Sequence, residues 1–510
     1  MGSAAESGGG GGSGAAIATP LPPVAAAVAT AAVATLAVLA AAAYLLSPLP
    51  PPIDSTINPD PHDARPPSAP RRDVGVVDGL AGLVGRTPLV RLRSLSEATG
   101  RVILGKAEFM NPNGSVKDRV AREARGGKGR GKEVPGPTGR PPRGRPSTLS
   151  SPPLTAAQIV RDALDRRLVR PRGLITEGTV GSTGVSLAAA CAASGLAFRA
   201  SVPDDVAAEK ASLLVAMGAG VDRVRPVGIG HPDHFVHVAR RRAAEAIANA
   251  AETESAAADG DGGGGSESAA AASLNAPPAP AAHFADQFEN LANARAHLTT
   301  GTEIALQCRE SGLSIDAFVC GAGTGGTLAG VGAALARLAP RARCWLADPP
   351  GSSLYHLVTR GACWSEMEAE GSRRRHPFDT LVEGVGLNRV TANMRSALPL
   401  LNGRAVRVTD VEAARMGRYL VRHEGLFLGG SAALNCAAAV KVARQLPPGS
   451  VVVTLLCDGG ARHLSRFYHP ETLARCGAAA TGSEVGEGLE WVGRADVDNR
   501  TDYGGSVAKE

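Results

Sequence analysis

The sequence lacks every cysteine pattern that marks a metal site or a disulfide framework. No two of its eight cysteines form a C-x-x-C pair; they lie at Cys191, Cys308, Cys320, Cys344, Cys363, Cys436, Cys457 and Cys476. This scatter predicts neither a zinc site nor compact disulfide pairing, so no metal is expected. Several of them, such as Cys320 in AFVC, lie in apolar runs, which is typical of small buried thiols in a reducing compartment.

An excess of positive charge is also missing from most of the chain. The formal net charge is +6, from 54 Lys and Arg against 48 Asp and Glu. Residues 125–145 alone hold seven Lys or Arg and one acid, Glu133, which is a local balance of +6. The remainder is therefore near neutral, and we expect no nucleic-acid partner.

Glycine and proline, in contrast, are abundant and concentrated in a few segments. Together they make up 99 of the 510 residues, which predicts long loops or disorder. We divide the chain into a flexible N-terminus at 1–23, a segment at 24–46, a Pro-rich tether at 47–75, a folded region at 76–468 and a C-terminal tail at 469–510. Two stretches without apolar periodicity, 125–153 and 253–281, are predicted to be disordered insertions in the folded region. A retained intron would give the first stretch the same composition.

The segment at 24–46 contains no charge, glycine or proline. It runs for 23 residues, 12 of them alanine, and the next charged residue is Asp54. At about 1.5 Å per residue, that length crosses a hydrocarbon core of about 30 Å. The segment lacks the basic leader of a secretory signal and the arginines of a transit peptide. We therefore predict a single transmembrane helix here; the alternative is a low-complexity alanine tract.

Short apolar runs alternate with alanine-rich stretches in the rest of the chain. The strand-like runs are RVILGKAEF, GLITEG, FRASVP, DAFVCGAG, ARCWLADPP and SVVVTLLCD, and the helix-like stretches include VSLAAACAA, AEKASLLVAMGA and TLAGVGAALARLA. Near-continuous apolar strands that alternate with helices predict an α/β fold with a parallel sheet covered on both faces. Ligands bind such sheets at the carboxyl ends of the strands.

One lysine follows a turn and precedes helical sequence. In FMNPNGSVKDR, residues 109–119, Lys117 comes directly after Asn-Pro-Asn-Gly-Ser-Val. Because the start of a helix disfavours a cation, Lys117 is poorly placed for stability. It is well placed to have a lowered pKa and to attack a carbonyl as an amine. The alternative interpretation is an exposed lysine in a first helical turn.

Two polar, glycine-rich turns follow strand-like runs. In CGAGTGGTLAG, residues 320–330, the turn 323–327 would open a helix with free backbone N–H groups, an arrangement that binds phosphate. It is neither a Walker loop nor a Rossmann motif, so it predicts a phosphorylated cofactor without nucleotide signatures. In TEGTVGSTGVSLA, residues 176–188, a similar turn could bind a carboxylate. Each turn is also compatible with an ordinary capped connection.

These strings, in this order, closely resemble the cysteine synthase and cystathionine β-synthase family of pyridoxal-phosphate enzymes, fold type II (tryptophan synthase β-like). Further agreements are LVGRTPLVRL (83–92), ADQFENLANARAHLTTGTEI (285–304), VEGVGLNRV (382–390), FLGGSAALN (427–435) and LLCDGGARHLSRF (455–467). The turn GST and the string ADPPGSSLY (347–355) are similar to a divergent, membrane-associated branch known in fungi. The resemblance covers about 76–468 apart from the two insertions. It implies two intertwined αβα domains with mostly parallel sheets, and a homodimer.

The resemblance also implies a role for each motif. Lys117 would form the internal aldimine with pyridoxal 5'-phosphate and move the Cα proton. The cofactor would be bound by Lys117, Ser182, Gly323, Thr324, Gly325, Gly326, Thr327, Gly384 and Gly459, with Gly386 beside Gly384. The amino-acid substrate would be bound by Thr179, Val180, Gly181, Ser182, Thr183 and Gln287.

The implied reaction is β-replacement, in which O-acetyl-L-serine and sulfide give L-cysteine and acetate. Cystathionine β-synthase or serine/threonine dehydratase activity is an alternative, although only about 40 residues follow Arg466, too few for the regulatory modules of those enzymes. A membrane-bound scaffold without activity is a third hypothesis.

Two motifs depart from the family pattern. The usual T-S-G-N-T-G reads TVGSTG, so Val180 replaces a substrate-facing serine and Ser182 replaces the asparagine that contacts the phenolic oxygen of the cofactor. Gly459 stands where C-D-S-G places the serine that faces the pyridine nitrogen. This last change predicts a weakened electron sink.

The charges around the predicted anchor suggest its orientation. Arg65, Arg71 and Arg72 follow it and no basic residue precedes it, which favours a cytosolic catalytic region. With the fungal resemblance, we expect a single-pass protein of the mitochondrial outer membrane, then of the endoplasmic reticulum, with a plastid third.

Overall fold

The strands of the protein carry the fold and place its functional side chains. The computed structural model describes residues 76–77, 79–121, 159–260, 279–365, 380–475 and 488–493. The strands are β1 (Leu89–Arg91), β2 (Val102–Lys106), β3 (Leu174–Gly178), β4 (Ala197–Pro203), β5 (Gly220–Val224), β6 (Ala282–Phe284), β7 (Ala317–Gly321), β8 (Arg343–Asp348), β9 (Ala405–Arg407) and β10 (Val451–Leu455).

The helices connect these strands or cover the sheets that they form. They are α1 (Gly79–Leu83), α2 (Arg93–Thr99), α3 (Asp118–Ala121), α4 (Ile159–Asp165), α5 (Ser182–Ala193), α6 (Ala208–Ala216), α7 (Phe235–Gly260), α8 (Ala292–Glu310), α9 (Gly326–Leu338), α10 (Leu354–Arg360), α11 (Ala392–Leu401), α12 (Asp410–Glu424), α13 (Gly430–Ala443) and α14 (Pro470–Arg475). Two short 3₁₀ turns, Glu108–Met110 and Gly460–Arg462, follow strands β2 and β10.

The strands form two sheets. One has six strands in the order β1-β2-β10-β7-β8-β9, and only the β1–β2 pair in it is antiparallel. The other has four parallel strands in the order β5-β4-β3-β6. We call the region built on the six-stranded sheet the large lobe and the region built on the four-stranded sheet, with α5 to α7, the small lobe. The predicted α/β class with mostly parallel sheets is confirmed.

The apolar runs predicted as strands are buried because both faces of the large sheet are covered. In β10 all five residues are buried. Val452 packs with the residues of α12 and α13 on one face, whereas Val453 packs with α8 and α9 on the other. Strands that are covered on both faces have continuous apolar sequences and not alternating apolar and polar residues. The carboxyl ends of the parallel strands remain uncovered, and the polar turns follow them there.

Two predicted boundaries are wrong. Helix α7 continues to Gly260, eight residues into the stretch predicted to be disordered from 253, since its Ala and Glu residues favour helix. At the other end of that stretch, the Pro280 and Ala281 carbonyls accept hydrogen bonds from Arg170 and Leu174. The insertion therefore reduces to at most 261–278, which lies outside the described residues.

The C-terminal boundary at 468 is also too early. Helix α14 places Leu473 in the core of the large lobe, and Leu489 and Val492 are buried in the same core. The predicted insertion at 125–153, the tether and the N-terminus all lie outside the described residues. So does the predicted transmembrane segment at 24–46; among the helices that the structure describes, none has the length and apolar character to span a bilayer.

Candidate active site

A cavity of about 1540 Å³ opens between the two lobes, at the carboxyl ends of strands from both sheets. Most predicted site residues line it: Lys117, Thr179, Val180, Ser182, Thr183, Gln287, Gly323, Thr324, Gly325, Thr327, Gly384 and Gly386. The structure thus brings together segments that are about 270 residues apart in the sequence, from Lys117 to Gly386. No group of His, Cys, Asp and Glu in the described residues could hold a metal ion.

Three predicted residues do not line the cavity. Gly181 packs against the aliphatic stem of Lys210, and Gly326 packs against the side chain of Asn293. Gly459 forms an isolated bridge with Leu428. Gly181 and Gly326 therefore leave room for neighbouring side chains, whereas Gly459 makes its contact through the backbone.

Lys117 is held at the end of β10, directly before α3. The Val116 amide donates to the Cys457 carbonyl at 2.8 Å, and Ser115 forms an isolated bridge with Asp458. Burial lowers the pKa of Lys117, although Cys457, Cys320 and Asp458 act in the opposite direction. The lowered pKa was predicted from the helix start, but loss of hydration is the main cause.

The other lysines near this site are paired. Lys106 is fully buried, with its Nζ 2.7 Å from Glu303 and 2.6 Å from the Thr87 carbonyl. Lys210 lines the cavity, but its Nζ lies 2.6 Å from Glu383. Lys117 is therefore the cavity lysine best suited to act as a free amine.

The turn 323–327 is the N-terminus of α9, a helix of 13 residues. Gly325 has φ +88°, and a Cβ there would overlap the backbone of Met394. A Cβ on Gly323 would meet the carbonyl of Gly384. Only glycine fits these two positions, so no side chain of residues 323 and 325 covers the backbone N–H groups of the turn. The Gly326 amide donates to Thr324 Oγ1 at 3.3 Å. A helix N-terminus with this form fits a phosphate group.

Neighbouring side chains fix the hydroxyls of this turn. Asn293 Nδ2 donates to Thr324 Oγ1 at 2.9 Å, and Thr391 Oγ1 donates to the Thr324 carbonyl at 2.6 Å. Thr327 Oγ1 lies 3.3 Å from His297 Nε2. Burial and the nearby Lys117 hold the pKa of His297 well below its usual range, so the ring is neutral.

The turn 179–184 leads from β3 into the first turn of α5, a helix of 12 residues; we call it the substrate loop. Thr179 Oγ1 accepts from the amides of Gly181 at 3.1 Å and Gly184 at 3.3 Å. Thr183 Oγ1 donates to Gln287 Oε1 at 2.6 Å. This arrangement presents hydroxyls and a helix N-terminus to the cavity, which fits a carboxylate.

A buried carboxyl group, missed from the sequence, supports Gln287. Glu177 Oε2 accepts from the Gln287 amide at 3.1 Å, and burial raises the pKa of Glu177 to about 8. Its position at the end of β3, among apolar residues, was the signal available in the sequence. Glu177 fixes a cavity residue without lining the cavity itself.

Several charged or titratable residues of the cavity were also missed from the sequence. Lys210, Glu383, Asp458 and His463 are charged or titratable and line the cavity beside the predicted motifs. The signal was their position next to those motifs, since Glu383 precedes Gly384 and Asp458 follows Cys457. Lys210 lies on α6, far from any motif, and only the fold brings it to the substrate loop.

Comparison with known proteins agrees with this geometry. The family described as "Pyridoxal-phosphate dependent enzyme" matches residues 145–458. Cysteine synthase 2 of Schizosaccharomyces pombe is 42% identical over 411 residues, which cover 80% of this chain and 88% of that protein. Cysteine synthase 2 of Neurospora crassa is 46% identical over 398 residues, which cover 77% and 73%.

Two further matches extend the comparison. A Saccharomyces cerevisiae protein whose name describes a mitochondrial cysteine synthase is 39% identical over 396 residues, covering 77% of this chain and 84% of that one. The crystal structure of O-ureido-L-serine synthase superposes with a TM-score of 0.52 at 28% identity, covering 77% and 95% of the two chains. The chain therefore belongs to the family of pyridoxal-phosphate-dependent enzymes and groups with its cysteine synthases.

Proposed function

We propose that the protein is a pyridoxal-phosphate-dependent cysteine synthase that converts O-acetyl-L-serine and sulfide to L-cysteine and acetate. One observation carries the proposal: a lysine with a lowered pKa shares a cavity with a glycine-rich helix N-terminus. The lysine can bind the carbonyl group of a cofactor, and the helix N-terminus can bind its phosphate. Cysteine synthases at 39–46% identity support the activity.

Residues of both lobes would hold the cofactor. The backbone N–H groups of 323–327 and the Thr324 and Thr327 hydroxyls would bind its phosphate, and Lys117 would bind its carbonyl carbon. Ser182 and Gly384 would lie beside its ring. Gly459 supplies no hydroxyl, although a Cβ there would meet nothing within 4 Å. When bound, pyridoxal phosphate withdraws electrons from the substrate and so acidifies its Cα–H.

The other side chains of the site would bind the substrate and move its proton. The substrate loop and Gln287 would bind the substrate carboxylate and so orient its Cα–H toward Lys117. Because burial disfavours the charged ammonium, the Lys117 amine can accept that proton and return it later.

The thiols of the cavity stay out of the reaction. Burial raises the pKa of Cys457 to about 12 and that of Cys320 well above its usual range. Both therefore remain protonated and are poor nucleophiles at neutral pH. The sulfur atom of the product would instead come from the proposed co-substrate, a sulfide that enters the cavity from solution.

A panel of substrates tests the proposed reaction. Full-length holoenzyme is given O-acetyl-L-serine, L-serine or L-threonine, each with sulfide or L-homocysteine, and the products are identified by mass spectrometry. We expect L-cysteine from O-acetyl-L-serine with sulfide as the fastest reaction. Cystathionine or a 2-oxo acid as the main product would support the alternative activities. A protein that retains cofactor but forms no product would support the scaffold hypothesis.

We further propose that residues 24–46 anchor the protein in a membrane, with the catalytic region in the cytosol. The support is the uncharged length of the segment, the arginines after it, and the mitochondrial name of the Saccharomyces cerevisiae relative. The outer mitochondrial membrane is the expected site. Carbonate extraction should leave the protein in the pellet, and protease added to intact organelles should remove the catalytic region. Extraction into the supernatant, or protection from protease, would contradict the anchor or its orientation.

A homodimer is also proposed, from the family resemblance. Several large apolar side chains of the described residues are exposed, among them Leu83 and Leu464, each at least half exposed. Cross-linking of the full-length protein should give a dimer band, and a band only near 51.7 kDa would contradict it.

A further inference from the structure

A chain of polar contacts begins at the substrate loop and crosses into the large lobe. Ser182 Oγ donates to Asp458 Oδ2 at 3.4 Å, and the same oxygen lies 3.0 Å from His463 Nε2. The other ring nitrogen, His463 Nδ1, lies 3.5 Å from Glu383 Oε2. His463 thus contacts one carboxylate through each of its nitrogens.

The chain of contacts then returns to the small lobe. Glu383 Oε2 lies 2.6 Å from Nζ of Lys210, which is on α6. The stem of Lys210 packs against Gly181, where φ is +134° and where a Cβ would overlap it. We call Ser182, Asp458, His463, Glu383 and Lys210 the loop clamp, because these contacts start and end at neighbouring residues of the substrate loop.

The charged groups of the loop clamp are buried and nearly balanced. Asp458, His463 and Lys210 are at most 5% exposed, and the Glu383 side chain is 7% exposed. Two carboxylates face one ammonium, so the group is neutral only when the imidazole is protonated. Buried charges are stable when they are paired in this way, whereas loss of one partner leaves an uncompensated charge.

The charged groups around His463 together favour its protonated form. Burial alone would raise the pKa of Glu383, but Lys210, His463 and Arg466 outweigh it and hold that pKa well below its usual range. Burial opposes protonation of His463 and so does Lys210, yet Asp458 and Glu383 raise its pKa above the usual value. Arg466 contacts Asp205 and Glu383 on the outer side of the clamp.

We infer that the loop clamp holds the substrate loop in its binding position and that His463, bonded through both nitrogens, is the positioning residue at its centre. The inference rests on the proposed function for the identity of the substrate. Its physical basis is independent of the reaction: the substrate loop belongs to the small lobe, and Asp458, His463 and Glu383 belong to the large lobe. The clamp therefore fixes the distance between the substrate loop and the large lobe across the cavity.

The protonation of His463 gives the inference a pH dependence. Since its pKa is raised in the folded protein, its contribution is complete at low pH and is lost as pH rises through that pKa. Above it, the clamp carries one net negative charge and one ring nitrogen no longer donates. Substrate binding should therefore weaken on the alkaline side, with cofactor binding unchanged.

His463→Gln tests the inference, because glutamine keeps polar contacts but cannot carry the charge. In the holoenzyme, we expect faster hydrogen exchange of the amides at 180–184. We also expect about a tenfold higher KM for the amino acid, the scale of one hydrogen bond to a charged group. The kcat should change less, and the alkaline rise in KM should disappear. Lys210→Met should give the same faster exchange and higher KM, but the alkaline rise should move to higher pH, because Lys210 lowers the pKa of His463. Lys210→Arg should behave like the wild type.

His356→Gln is the matched control, since His356 is equally buried but lies on α10 outside the cavity. If His463→Gln does not fold, Lys210→Met carries the test, because it keeps the apolar stem against Gly181. Unchanged exchange at 180–184 in a folded clamp variant, or equal effects in His356→Gln, would overturn the inference. Exchange is measured without turnover, so failure of the proposed reaction and failure of the clamp are distinguishable.

Discussion

The cofactor turn at 323–327 and the substrate loop at 179–184 have the same form but are held in different ways. Each follows a parallel strand, and each places a glycine of positive φ directly before a helix, Gly325 at +88° and Gly181 at +134°. A Cβ at Gly325 would overlap the backbone of Met394, whereas a Cβ at Gly181 would overlap the Lys210 side chain. The cofactor turn is thus fixed by backbone of its own lobe, and the substrate loop by a side chain of the loop clamp.

The difference in support matches the difference in sequence. The cofactor turn keeps the family pattern, and its neighbours Asn293, Thr391 and His297 are uncharged partners. The substrate loop carries the changes at Val180 and Ser182, and its neighbours are buried charges. The substrate loop thus contacts buried charged groups, and the cofactor turn contacts uncharged ones.

Lys117→Ala should have the largest effect. Without an amine at this position, activity should fall by roughly 10³-fold or more. The control is Lys210→Met, which removes the other cavity lysine and should leave substantial activity. Initial rates of L-cysteine formation measure both, and equal losses would contradict the assignment of Lys117.

Arg119→Met tests how much a buried ion pair next to Lys117 contributes to stability. Arg119 lies two residues after Lys117, is buried, and contacts Glu108 at 2.6 Å and Glu303 at 2.8 Å. Removing it takes the ion pair away from the buried Glu108 and leaves Glu303 with Lys106, so stability should fall by about 3–5 kcal/mol. Urea unfolding measures this, and Arg199→Met, in an exposed pair, should cost less than about 1 kcal/mol. Similar losses of unfolding free energy in the two variants would show that burial adds nothing to the Arg119 ion pairs.

Thr327→Val should weaken cofactor binding without weakening binding of the amino acid. It keeps the branched shape but removes a hydroxyl that would bind the cofactor phosphate, so cofactor affinity should fall about 10- to 100-fold. The KM of the amino acid should change little, the reverse of the loop clamp variants. Thr300→Val is the control, because Thr300 also contacts His297, at 3.1 Å, but lies outside the cavity. Equal loss of cofactor in the control would assign the effect to His297 instead.

Gly459→Ser should have a small and favourable effect. The backbone there has φ −82°, which any residue adopts, and the space for a Cβ is open. A hydroxyl that reaches the cofactor ring should raise kcat about two- to tenfold, the value of one hydrogen bond. Unchanged kcat and cofactor absorbance would mean that position 459 does not face the ring.

Deletion of 261–278 should have the smallest effect. Loop shortening changes closure entropy only slowly, so the free energy of unfolding should change by less than about 1 kcal/mol. Cofactor content and KM should be unchanged. Loss of folded protein would show that this segment belongs to the small lobe.

The sequence predicted the elements whose signal is local. The apolar runs that became β2, β3, β4, β7, β8 and β10 were recognised, because both of their faces are covered. The strands β1, β5, β6 and β9 were missed; all four lie at sheet edges. Three of them, β1, β6 and β9, have only three residues, which carry little pattern. The start of the insertion, predicted at 253, was misplaced because an alanine-rich tract is compatible with both a loop and a helix.

The same reasoning explains what was predicted of the site. Lys117 and the two turns are compact motifs, and the fold brought them to one cavity. The loop clamp was not predictable, because its five residues come from four separate segments and only the arrangement of the lobes joins them. Glu177 was missed for a related reason: a carboxyl at the end of an apolar strand reads as solvent-exposed until its burial is known.

Reduction of the holoenzyme with borohydride tests the central claim most directly. The reagent fixes pyridoxal phosphate to the lysine that carries it, and peptide mass mapping then identifies that residue. We expect a phosphopyridoxyl group on the peptide that contains Lys117, and none in Lys117→Ala. A label on Lys106 or Lys210, or no label on a protein that retains its cofactor, would contradict it.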